Sequence, residues 1–310
     1  MKILITGGKG MLAQDLVQPL HSREHQVLAL GRTDLDVTVY NQVANVVKQF
    51  SPNLIIHCAA FTRVDDCERK QELALLVNGR GSRNVALLCE ELNIPMVYIS
   101  SDYVFEGNQA QGYAELDATG PLSVYGKSKL EGELEVQRHL QKFYIVRTSW
   151  LFGREGPSFV KTIIEMAAAR PELTVVDDQT GSPTWRADLV PALVRLMSSG
   201  HFGIYHLTNS GATTWYGFAR RILELIGSST PVRPITSAEL ARPAPRPACS
   251  ILLNQNWKRL TGEVLPSWED ALKNYLTAEG LMQGVGRMND QRSQGRGPDQ
   301  GVSAEGASSG

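Results

Sequence analysis

Two side chains one helical turn apart offer acid–base chemistry. Tyr125 and Lys129 form a Tyr-x-x-x-Lys pair in a stretch with helical spacing, so both side chains lie on one helix face. A free phenol has a pKa of about 10, which is too high for efficient acid–base work at neutral pH. An ammonium about 4 Å away, at an effective dielectric of about 20, favours the phenolate by roughly 4 kcal/mol, or about three pKa units. The spacing therefore predicts that Lys129 lowers the pKa of Tyr125 into the working range.

A hydroxyl at the end of a predicted strand completes this set. Ser101 follows the apolar run 95–100, and open α/β sheets bind their ligands at the carboxyl ends of strands. The Ser101 hydroxyl can polarise a carbonyl while Tyr125 donates a proton and a nicotinamide donates hydride. Ser101, Tyr125 and Lys129 are therefore the candidate catalytic residues of a carbonyl reductase.

A glycine-rich turn near the amino terminus predicts a dinucleotide cofactor. The first apolar run, 2–6, leads into a GxxGxxA arrangement that includes Gly7 and Gly10 and opens a helical pattern. Small residues at this place let a pyrophosphate approach the backbone N–H groups of a helix N-terminus. An acidic residue after the second strand would hold the ribose of NAD, but the second apolar run is followed by Arg32. The Arg32 guanidinium could instead bind the 2′-phosphate of NADP. We predict that the protein uses NADPH. NADH is the alternative cofactor, because the carboxylate of Asp34 or Asp36 could still reach a ribose.

The elements that position these groups alternate between strands and helices. Continuous apolar runs, as expected of strands covered on both faces, fall at 2–6, 26–30, 53–58, 95–100 and 143–149. Helical spacing falls between them at 10–21, 39–50, 70–92 and 124–141. The alternation predicts an α/β fold with a Rossmann-type doubly wound parallel sheet.

The pattern changes along the chain and predicts three regions. We expect an NAD(P)-binding Rossmann domain over 1–150 and a smaller mixed α/β substrate domain over 151–277, some segments of which return to pack on the first. Helical patterns in the second region fall near 156–169, 186–198, 214–227 and 267–277, with short extended pieces at 173–176 and 204–207. Residues 278–310 are rich in Gly, Gln and Ser and have little to bury, so they are predicted to form a disordered tail.

Composition excludes several classes of function. The 310 residues are 42% hydrophobic and carry a net charge of −1, and without a basic cluster neither nucleic acid nor a membrane surface is an expected partner. No apolar run reaches the roughly 18 residues that span a bilayer, and the first residues lack a signal-peptide pattern, so we expect a cytoplasmic protein.

The four cysteines and six histidines share no metal-binding spacing, so no metal site is predicted. The oligomeric state is left open, with a homodimer as one alternative.

Seven stretches of the chain carry a family resemblance. They are ILITGGKGMLA at 3–13, CAAFTRVDDCE at 58–68, SSDYVFEG at 100–107, PLSVYGKSK at 121–129, RTSWLFG at 147–153, DDQTGSPT at 177–184 and RPACS at 246–250. Spread over nearly all of residues 1–275, they resemble the dTDP-4-dehydrorhamnose reductase family of extended short-chain dehydrogenase/reductases. The resemblance implies reduction of the 4-keto group of a dTDP-linked deoxysugar, dTDP-4-dehydro-L-rhamnose, to give dTDP-L-rhamnose.

The resemblance also implies roles for individual residues. Ser101, Tyr125 and Lys129 match the catalytic triad, with serine in place of the usual threonine, and Lys129 also matches the residue that holds the nicotinamide ribose. The positions that match the family's cofactor contacts are Gly7, Gly10, Met11, Leu12, Asp36, Val37, Ala60, Phe61, Thr62 and Ile99, together with Tyr125 and Lys129. Arg32 is a further candidate, because of its place after the second apolar run. The positions that match residues lining the deoxysugar are Asp102, Tyr103 and Trp150, beside the catalytic Ser101. Arg246, flanked by prolines, is either a ligand of the substrate pyrophosphate or a solvated surface cation.

Two other functions share parts of this pattern. A nucleotide-sugar epimerase or 4,6-dehydratase has the same fold, cofactor loop and Tyr-x-x-x-Lys pair, but dehydratases tend to carry an Asp-Glu pair where this chain has Asp102 and Tyr103. Epimerases and dehydratases also retain NAD tightly, so release of the cofactor would favour a reductase. A non-catalytic subunit similar to the regulatory subunit of methionine adenosyltransferase is the second alternative. The intact triad favours an enzyme.

Overall fold

The structure is a computed structural model that describes residues 1–282. Its strands are β1 (Lys2–Thr6), β2 (Gln26–Leu30), β3 (Leu54–His57), β4 (Met96–Ser101), β5 (Phe143–Thr148), β6 (Leu151–Phe152), β7 (Leu173–Val176), β8 (Thr180–Gly181), β9 (Thr184–Trp185), β10 (Gly203–His206), β11 (Thr213–Thr214) and β12 (Val232–Ile235). Its α-helices are α1 (Met11–His21), α2 (Tyr40–Phe50), α3 (Val64–Arg69), α4 (Gln71–Ala74), α5 (Gly81–Glu91), α6 (Val124–His139), α7 (Phe159–Ala169), α8 (Arg186–Met197), α9 (Trp215–Ile226), α10 (Ser237–Leu240), α11 (Gln255–Thr261) and α12 (Trp268–Ala278). A π-helical segment, Leu75–Arg80, joins α4 to α5, and a 3-10 turn covers Asp102–Val104.

A parallel six-stranded sheet forms the centre of the molecule. Its strand order is β2, β1, β3, β4, β5, β10, and each neighbouring pair is parallel. The predicted α/β fold class is confirmed, and β1 to β5 are the five strands expected from the apolar runs. The chain winds outward from β1 to β2 and then returns to the other side of β1 as β3. This reversal opens a crevice at the carboxyl ends of β1 and β3, where sheets of this type bind ligands.

Both faces of the sheet are covered, which explains why its strands are continuously apolar. On β1, Ile3 and Ile5 belong to a hydrophobic cluster on one face, with Leu16 of α1. Leu4 points the other way and belongs to a second cluster with Val85 of α5. Successive side chains of a strand alternate between faces. A sheet with helices on both sides must therefore be apolar at every position.

The later part of the chain is divided between the sheet and a second lobe. The helix α8 packs on α1, β10 pairs with β5, and α11 packs on β10, so these three elements extend the sheet region. The second lobe has its own hydrophobic cluster, built mainly from α7, α9 and α12 and including Phe218 and Trp268. Beside this cluster, β7 and β12 form a parallel pair.

The described chain ends shortly after the last helix. Ala278 is the last residue of α12, and the backbone N–H of Leu281 donates to the carbonyl of Leu276 at 2.8 Å. Residues 283–310, most of the segment predicted to be a disordered tail, lie outside the described residues. Within residues 1–282, no helix combines the length and apolar character needed to cross a membrane.

Candidate active site

The turn between β1 and α1 contains glycines, so its backbone reaches the crevice without side chains that would cover it. Gly7 has φ +68°, and a Cβ there would lie 2.6 Å from the backbone nitrogen of Ala59, so only glycine fits without strain. Gly10 is the N-cap of α1 and provides no capping side chain, and the first turn of α1 contains no acidic residue. The N-terminal end of α1 thus offers N–H donors and a positive dipole end to an anion. These features fit a dinucleotide pyrophosphate.

Most of the predicted cofactor residues line one cavity of about 240 Å³ beside this turn. Those that line it are Gly7, Gly10, Arg32, Asp36, Val37, Ala60 and Phe61. The other six line an adjoining cavity of about 540 Å³ and are Met11, Leu12, Thr62, Ile99, Tyr125 and Lys129. The two cavities share Lys9, Gly10, Cys58 and Ala60 in their walls. A cofactor bound along the first cavity would therefore reach the second.

The edge of the first cavity carries two cations. Arg32 is exposed there, and Lys9, which the sequence analysis did not single out, donates from Nζ to the Thr33 hydroxyl at 3.0 Å. Asp36 uses its Oδ1 to accept the Thr38 hydroxyl at 2.7 Å, and this hydrogen bond holds the pKa of the Asp36 carboxyl below its usual value. Asp34 lies 3.9 Å from the Lys9 Nζ, so this edge carries carboxylates beside its two cations.

Three elements bring the candidate catalytic residues together. Ser101 is the last residue of β4, and its hydroxyl donates to Asp102 Oδ1 at 2.8 Å. Ser123 caps α6 by accepting the Gly126 N–H at 3.1 Å. A Cβ on Gly126 would lie 2.2 Å from the carbonyl oxygen of Tyr103, so glycine lets α6 approach the 3-10 turn closely. Ser101 and Tyr125 consequently line the larger cavity together, with Lys129.

The predicted lowering of the Tyr125 pKa is wrong for this structure, because the net shift is upward. The Lys129 ammonium donates to the Ile99 carbonyl at 2.7 Å and lies 4.1 Å from the centre of the Tyr98 ring. Burial lowers the pKa of Lys129 to about 7. Burial also raises the pKa of Tyr125, and the nearby Ser101 hydroxyl opposes this only in part. Desolvation by burial is the largest cause of both shifts, and the spacing of the two residues in the sequence could not indicate it. Tyr125 is therefore a neutral phenol that holds its proton until a reaction draws it away.

A buried polar chain beneath the site escaped the sequence analysis. Asn78, in the π-helical segment, donates to the Ser128 hydroxyl at 2.8 Å and accepts the Phe61 N–H at 2.7 Å. His57 lies between the hydroxyls of Thr6, at 2.7 Å, and Ser82, at 3.1 Å. Burial lowers the pKa of His57 to about 3, so this histidine is neutral. The chain links the cofactor loop at Phe61 to the helix that carries Tyr125 and Lys129.

A buried ion pair anchors the same helix one turn further on. Glu133 is fully buried, and both of its oxygens accept from Arg147 of β5, at 2.8 Å from Nε and 2.6 Å from Nη2. Arg147 also donates to the Glu115 carbonyl at 3.0 Å and lies over the Phe105 ring. Burying such a pair is stable only when its hydrogen bonds are satisfied. This contact fixes α6 against β5.

The predicted substrate residues divide between two places. Asp102, Tyr103 and Trp150 line the larger cavity with Ser101. Arg246 lines a neighbouring recess instead, where its guanidinium donates to Asp65 Oδ1 at 3.0 Å. The Asp65 carboxylate also accepts Arg242 at 3.1 Å. Arg246 is thus a partly buried, paired residue and not a freely solvated surface cation.

Trp150 adopts a strained backbone at the wall of the larger cavity. Its φ is +46°, and the left-handed region costs about 1–3 kcal/mol for a residue with a side chain. The indole stacks on that of Trp215 with centroids 3.4 Å apart and planes 5° apart. A Cβ on Gly181 would lie 2.5 Å from the Trp150 ring. Trp215 lines the same cavity, but its part in the site had no local signal in the sequence.

Asp102 should make the folded state less stable as the pH rises. Burial raises the pKa of Asp102 to about 6 from a usual value of 3.8, against an opposing hydrogen bond from Ser101. The folded state therefore binds a proton more tightly than the unfolded state, and its stability falls as the pH rises from about 4 to about 6. Asp102→Asn should remove this loss and gain on the order of 1–3 kcal/mol above about pH 6. Urea unfolding over this range checks the result.

The exposed Glu172 provides the control for this experiment. Glu172→Gln should leave the free energy of unfolding within about 0.5 kcal/mol at every pH. A difference between Asp102→Asn and the native protein that stays constant across the pH range would contradict the assignment.

The fold and the site together define a class of protein. Three features define a nicotinamide-dependent oxidoreductase of the extended short-chain type. They are a parallel doubly wound sheet, a glycine turn at the N-terminus of the helix that follows β1, and a Ser-Tyr-Lys set at the end of β4 and the start of α6. Comparison with known proteins narrows the class. The chain matches the family described as RmlD substrate binding domain over residues 1–280 and belongs to this dTDP-4-dehydrorhamnose reductase family.

Individual relatives agree with this membership. A dTDP-4-dehydrorhamnose reductase of Streptomyces griseus is 42% identical over 276 residues, covering 87% of this chain and 91% of the relative. A dTDP-4-keto-6-deoxy-D-glucose reductase of Streptomyces niveus is 39% identical over 271 residues, covering 87% of this chain and 94% of the relative. A crystal structure of dTDP-4-dehydrorhamnose reductase from Bacillus anthracis in complex with NADP is 39% identical, with a TM-score of 0.86, covering 89% of this chain and 99% of that one.

Proposed function

We propose that the protein reduces the 4-keto group of dTDP-4-dehydro-L-rhamnose with NADPH, giving dTDP-L-rhamnose. The observation that carries the proposal is the meeting of Ser101 and Tyr125 in a cavity that adjoins the glycine turn at Gly7 and Gly10. This arrangement suits a carbonyl that lies between two hydroxyl donors and a bound dinucleotide. The family members from Streptomyces griseus and Bacillus anthracis carry the name of the same reaction.

The proposed chemistry divides between the chain and the cofactor. The dihydronicotinamide supplies a hydride to the carbonyl carbon when it is bound. When substrate is bound, the Ser101 hydroxyl turns its single proton from Asp102 Oδ1 to the carbonyl oxygen, where it stabilises the negative charge that develops. Tyr125, kept protonated by its burial, gives its proton to that oxygen, which becomes the C4 hydroxyl. The phenolate left behind takes a proton from solvent before the next turnover.

Lys129 supports this transfer from the same helix face. Its pKa of about 7 reflects burial, so a phenolate forming on Tyr125 would favour the charged ammonium. The ammonium then lowers the energy of the phenolate at the moment when Tyr125 loses its proton. As the family resemblance implies, we also assign Lys129 to the hydroxyls of the nicotinamide ribose.

The remaining contacts to the sugar nucleotide are proposals of the same kind. Asp102, Tyr103 and Trp150 line the cavity of Ser101 and are assigned to the deoxysugar. Arg246 lies in the adjoining recess, oriented by Asp65, and is assigned to the diphosphate. On this basis the sheet region binds the dinucleotide and also supplies most of the wall for the deoxysugar, to which the second lobe contributes Trp215.

Arg32 should discriminate between the two nicotinamide cofactors. Its guanidinium lies at the exposed edge of the first cavity, where a 2′-phosphate would add a charge-assisted contact. Arg32→Ala should raise the KM for NADPH by roughly ten- to a hundredfold, because such a contact contributes about 1.5–3 kcal/mol, and should leave the KM for NADH nearly unchanged. Steady-state kinetics with each cofactor measure both values.

The exposed Arg23, which follows α1, provides a matched control. Arg23→Ala should change neither KM. An equal rise for NADPH and NADH in Arg32→Ala would show that Arg32 does not contact the phosphate.

Turnover tests the proposed function as a whole. Purified protein supplied with NADPH should consume one NADPH per dTDP-4-dehydro-L-rhamnose and release the oxidised cofactor. A parallel reaction with dTDP-4-keto-6-deoxy-D-glucose, the substrate in the name of the Streptomyces niveus relative, tests the choice of sugar. Stable retention of NAD with interconversion of sugar epimers would support an epimerase instead. Ligand binding without turnover of either sugar would support a non-catalytic subunit.

A further inference from the structure

The short helix α3 contacts three parts of the proposed site that are distant from one another in the sequence. It follows the cofactor loop that carries Phe61, and its Cys67 thiol donates to the Phe61 carbonyl at 3.6 Å. Cys67 is fully buried and packs in one small hydrophobic cluster with Tyr125. An acidic side chain of α3 also bonds to the loop that carries Arg246. The helix therefore lies where the cofactor loop, the proton donor and the diphosphate ligand of the proposed site meet.

Glu68 of α3 holds the first residue of the helix that carries Tyr125. Its Oε1 accepts the backbone N–H of Val124 at 2.8 Å. This N–H is one of the four at a helix N-terminus that have no partner within the helix, and Ser123 satisfies another, that of Gly126. A carboxylate also interacts favourably with the positive end of the helix dipole. Because Tyr125 is the residue after Val124, the contact with Glu68 helps to set the position of the phenol.

Asp65, one helical turn earlier on α3, holds a different element. Its partner is the proline-rich segment 242–246, which we call the arginine loop. Asp65 Oδ1 accepts Arg246 at 3.0 Å and the backbone N–H of Ala244 at 3.2 Å, and its Oδ2 accepts Arg242 at 3.1 Å. The Arg246 side chain donates in addition to the Ala244 carbonyl at 2.8 Å. One carboxylate thus accepts three donors of the arginine loop and orients the Arg246 guanidinium.

We propose that Glu68 and Asp65 are positioning residues with different duties in the reaction. Glu68 holds Tyr125 within reach of the substrate carbonyl, and Asp65 holds Arg246 for the diphosphate of the sugar nucleotide. The inference rests on the proposed function, in which Tyr125 acts on the reacting atoms and Arg246 acts in binding. Loss of the Glu68 contact should lower kcat, because a small misplacement of a reacting group is costly. Loss of the Asp65 contacts should weaken binding and raise KM.

The division between kcat and KM tests the proposal. Steady-state kinetics are measured with dTDP-4-dehydro-L-rhamnose and NADPH, and the dissociation constants of dTDP and NADPH are measured by calorimetry on the full chain. Glu68→Ala should lower kcat by about tenfold or more while both dissociation constants stay within about twofold of native. Asp65→Ala should raise the KM for the sugar nucleotide and the dissociation constant of dTDP by about tenfold, with kcat within about threefold of native.

Conservative variants and a control from the same helix separate positioning from general damage. Glu68→Gln keeps an oxygen that can accept the Val124 N–H, so it should retain most of the native kcat. Glu68→Asp is one carbon shorter and should lower kcat. Asp66 lies between the two residues and pairs with Arg63 and Arg69 of the same stretch. Asp66→Ala should therefore keep the native kcat and KM.

Several results would overturn the inference while leaving the proposed function intact. Equal changes of kcat and KM in Asp65→Ala and Glu68→Ala would indicate a general loosening of α3. Tighter binding of dTDP by Asp65→Ala would show that the carboxylate competes with the diphosphate and does not position Arg246. If either alanine variant does not fold, Asp65→Asn and Glu68→Asp decide, and native kinetics in either of them would overturn the inference. Absence of turnover by the native protein would overturn the proposed function and the inference together.

Discussion

Replacing Tyr125 with phenylalanine should lower kcat by about 10²–10⁴-fold while leaving the dissociation constant for NADPH nearly unchanged. The phenol is the proposed proton donor, and its burial keeps it protonated at neutral pH by raising its pKa. Phenylalanine keeps the ring and its edge-on contact with Tyr103, whose centroid is 5.4 Å away. The loss should therefore come from the missing proton and not from altered packing.

Steady-state kinetics and cofactor titration measure the two quantities separately. Tyr40, at the start of α2, is exposed, and Tyr40→Phe should retain native kcat. Retention of more than about a tenth of native turnover in Tyr125→Phe would show that another group donates the proton.

Breaking the buried ion pair beneath the site should have the largest effect on stability. Arg147→Met leaves the fully buried Glu133 carboxylate without its guanidinium, so the free energy of unfolding should fall by about 3–5 kcal/mol. The double variant Arg147→Met with Glu133→Leu removes both charges and should recover much of this loss. Chemical denaturation of the two single variants and the double variant provides the measurement.

An exposed pair gives the matched comparison. Arg195 and Glu263 form an ion pair whose side chains are half-exposed or more, and Arg195→Met should cost no more than about 1 kcal/mol. Additive losses in the Arg147 and Glu133 double variant would contradict the ion-pair account. Because α6 carries Tyr125 and Lys129, the single variant Arg147→Met should also have a lower kcat, since this helix is held less firmly against β5.

The sheet could be predicted because its signal is local. Every strand from β1 to β5 is a short apolar run between helical patterns, and each predicted helical stretch begins and ends within a few residues of observed helix. The short helices α3, α10 and α11 were not predicted. The sixth strand, β10 (Gly203–His206), overlaps the extended piece predicted at 204–207, but its place in the central sheet was not predicted. Its pairing with β5 depends on a return from the second lobe that no local pattern encodes. The sequence predicted that some segments return but did not identify this one.

The site shows the same division between local and distant signals. The glycine turn and the Tyr125–Lys129 spacing are visible in single stretches of sequence, and Ser101 is visible as the end of an apolar run. Asn78 and Trp215 were missed, because each acts on residues more than 15 positions away in the chain. The shift of the Tyr125 pKa was predicted in the wrong direction, because the strength of desolvation depends on burial that the spacing cannot give.

The most direct test of the central claim follows the hydrogen that reaches the sugar. The protein is supplied with dTDP-4-dehydro-L-rhamnose and NADPH that carries deuterium at both positions of the nicotinamide C4. Nuclear magnetic resonance and mass spectrometry of the product then locate the label. We predict dTDP-L-rhamnose with one deuterium at the sugar C4 for each NADPH oxidised. Unlabelled product, or label at another carbon, would contradict a direct reduction of the 4-keto group at this site.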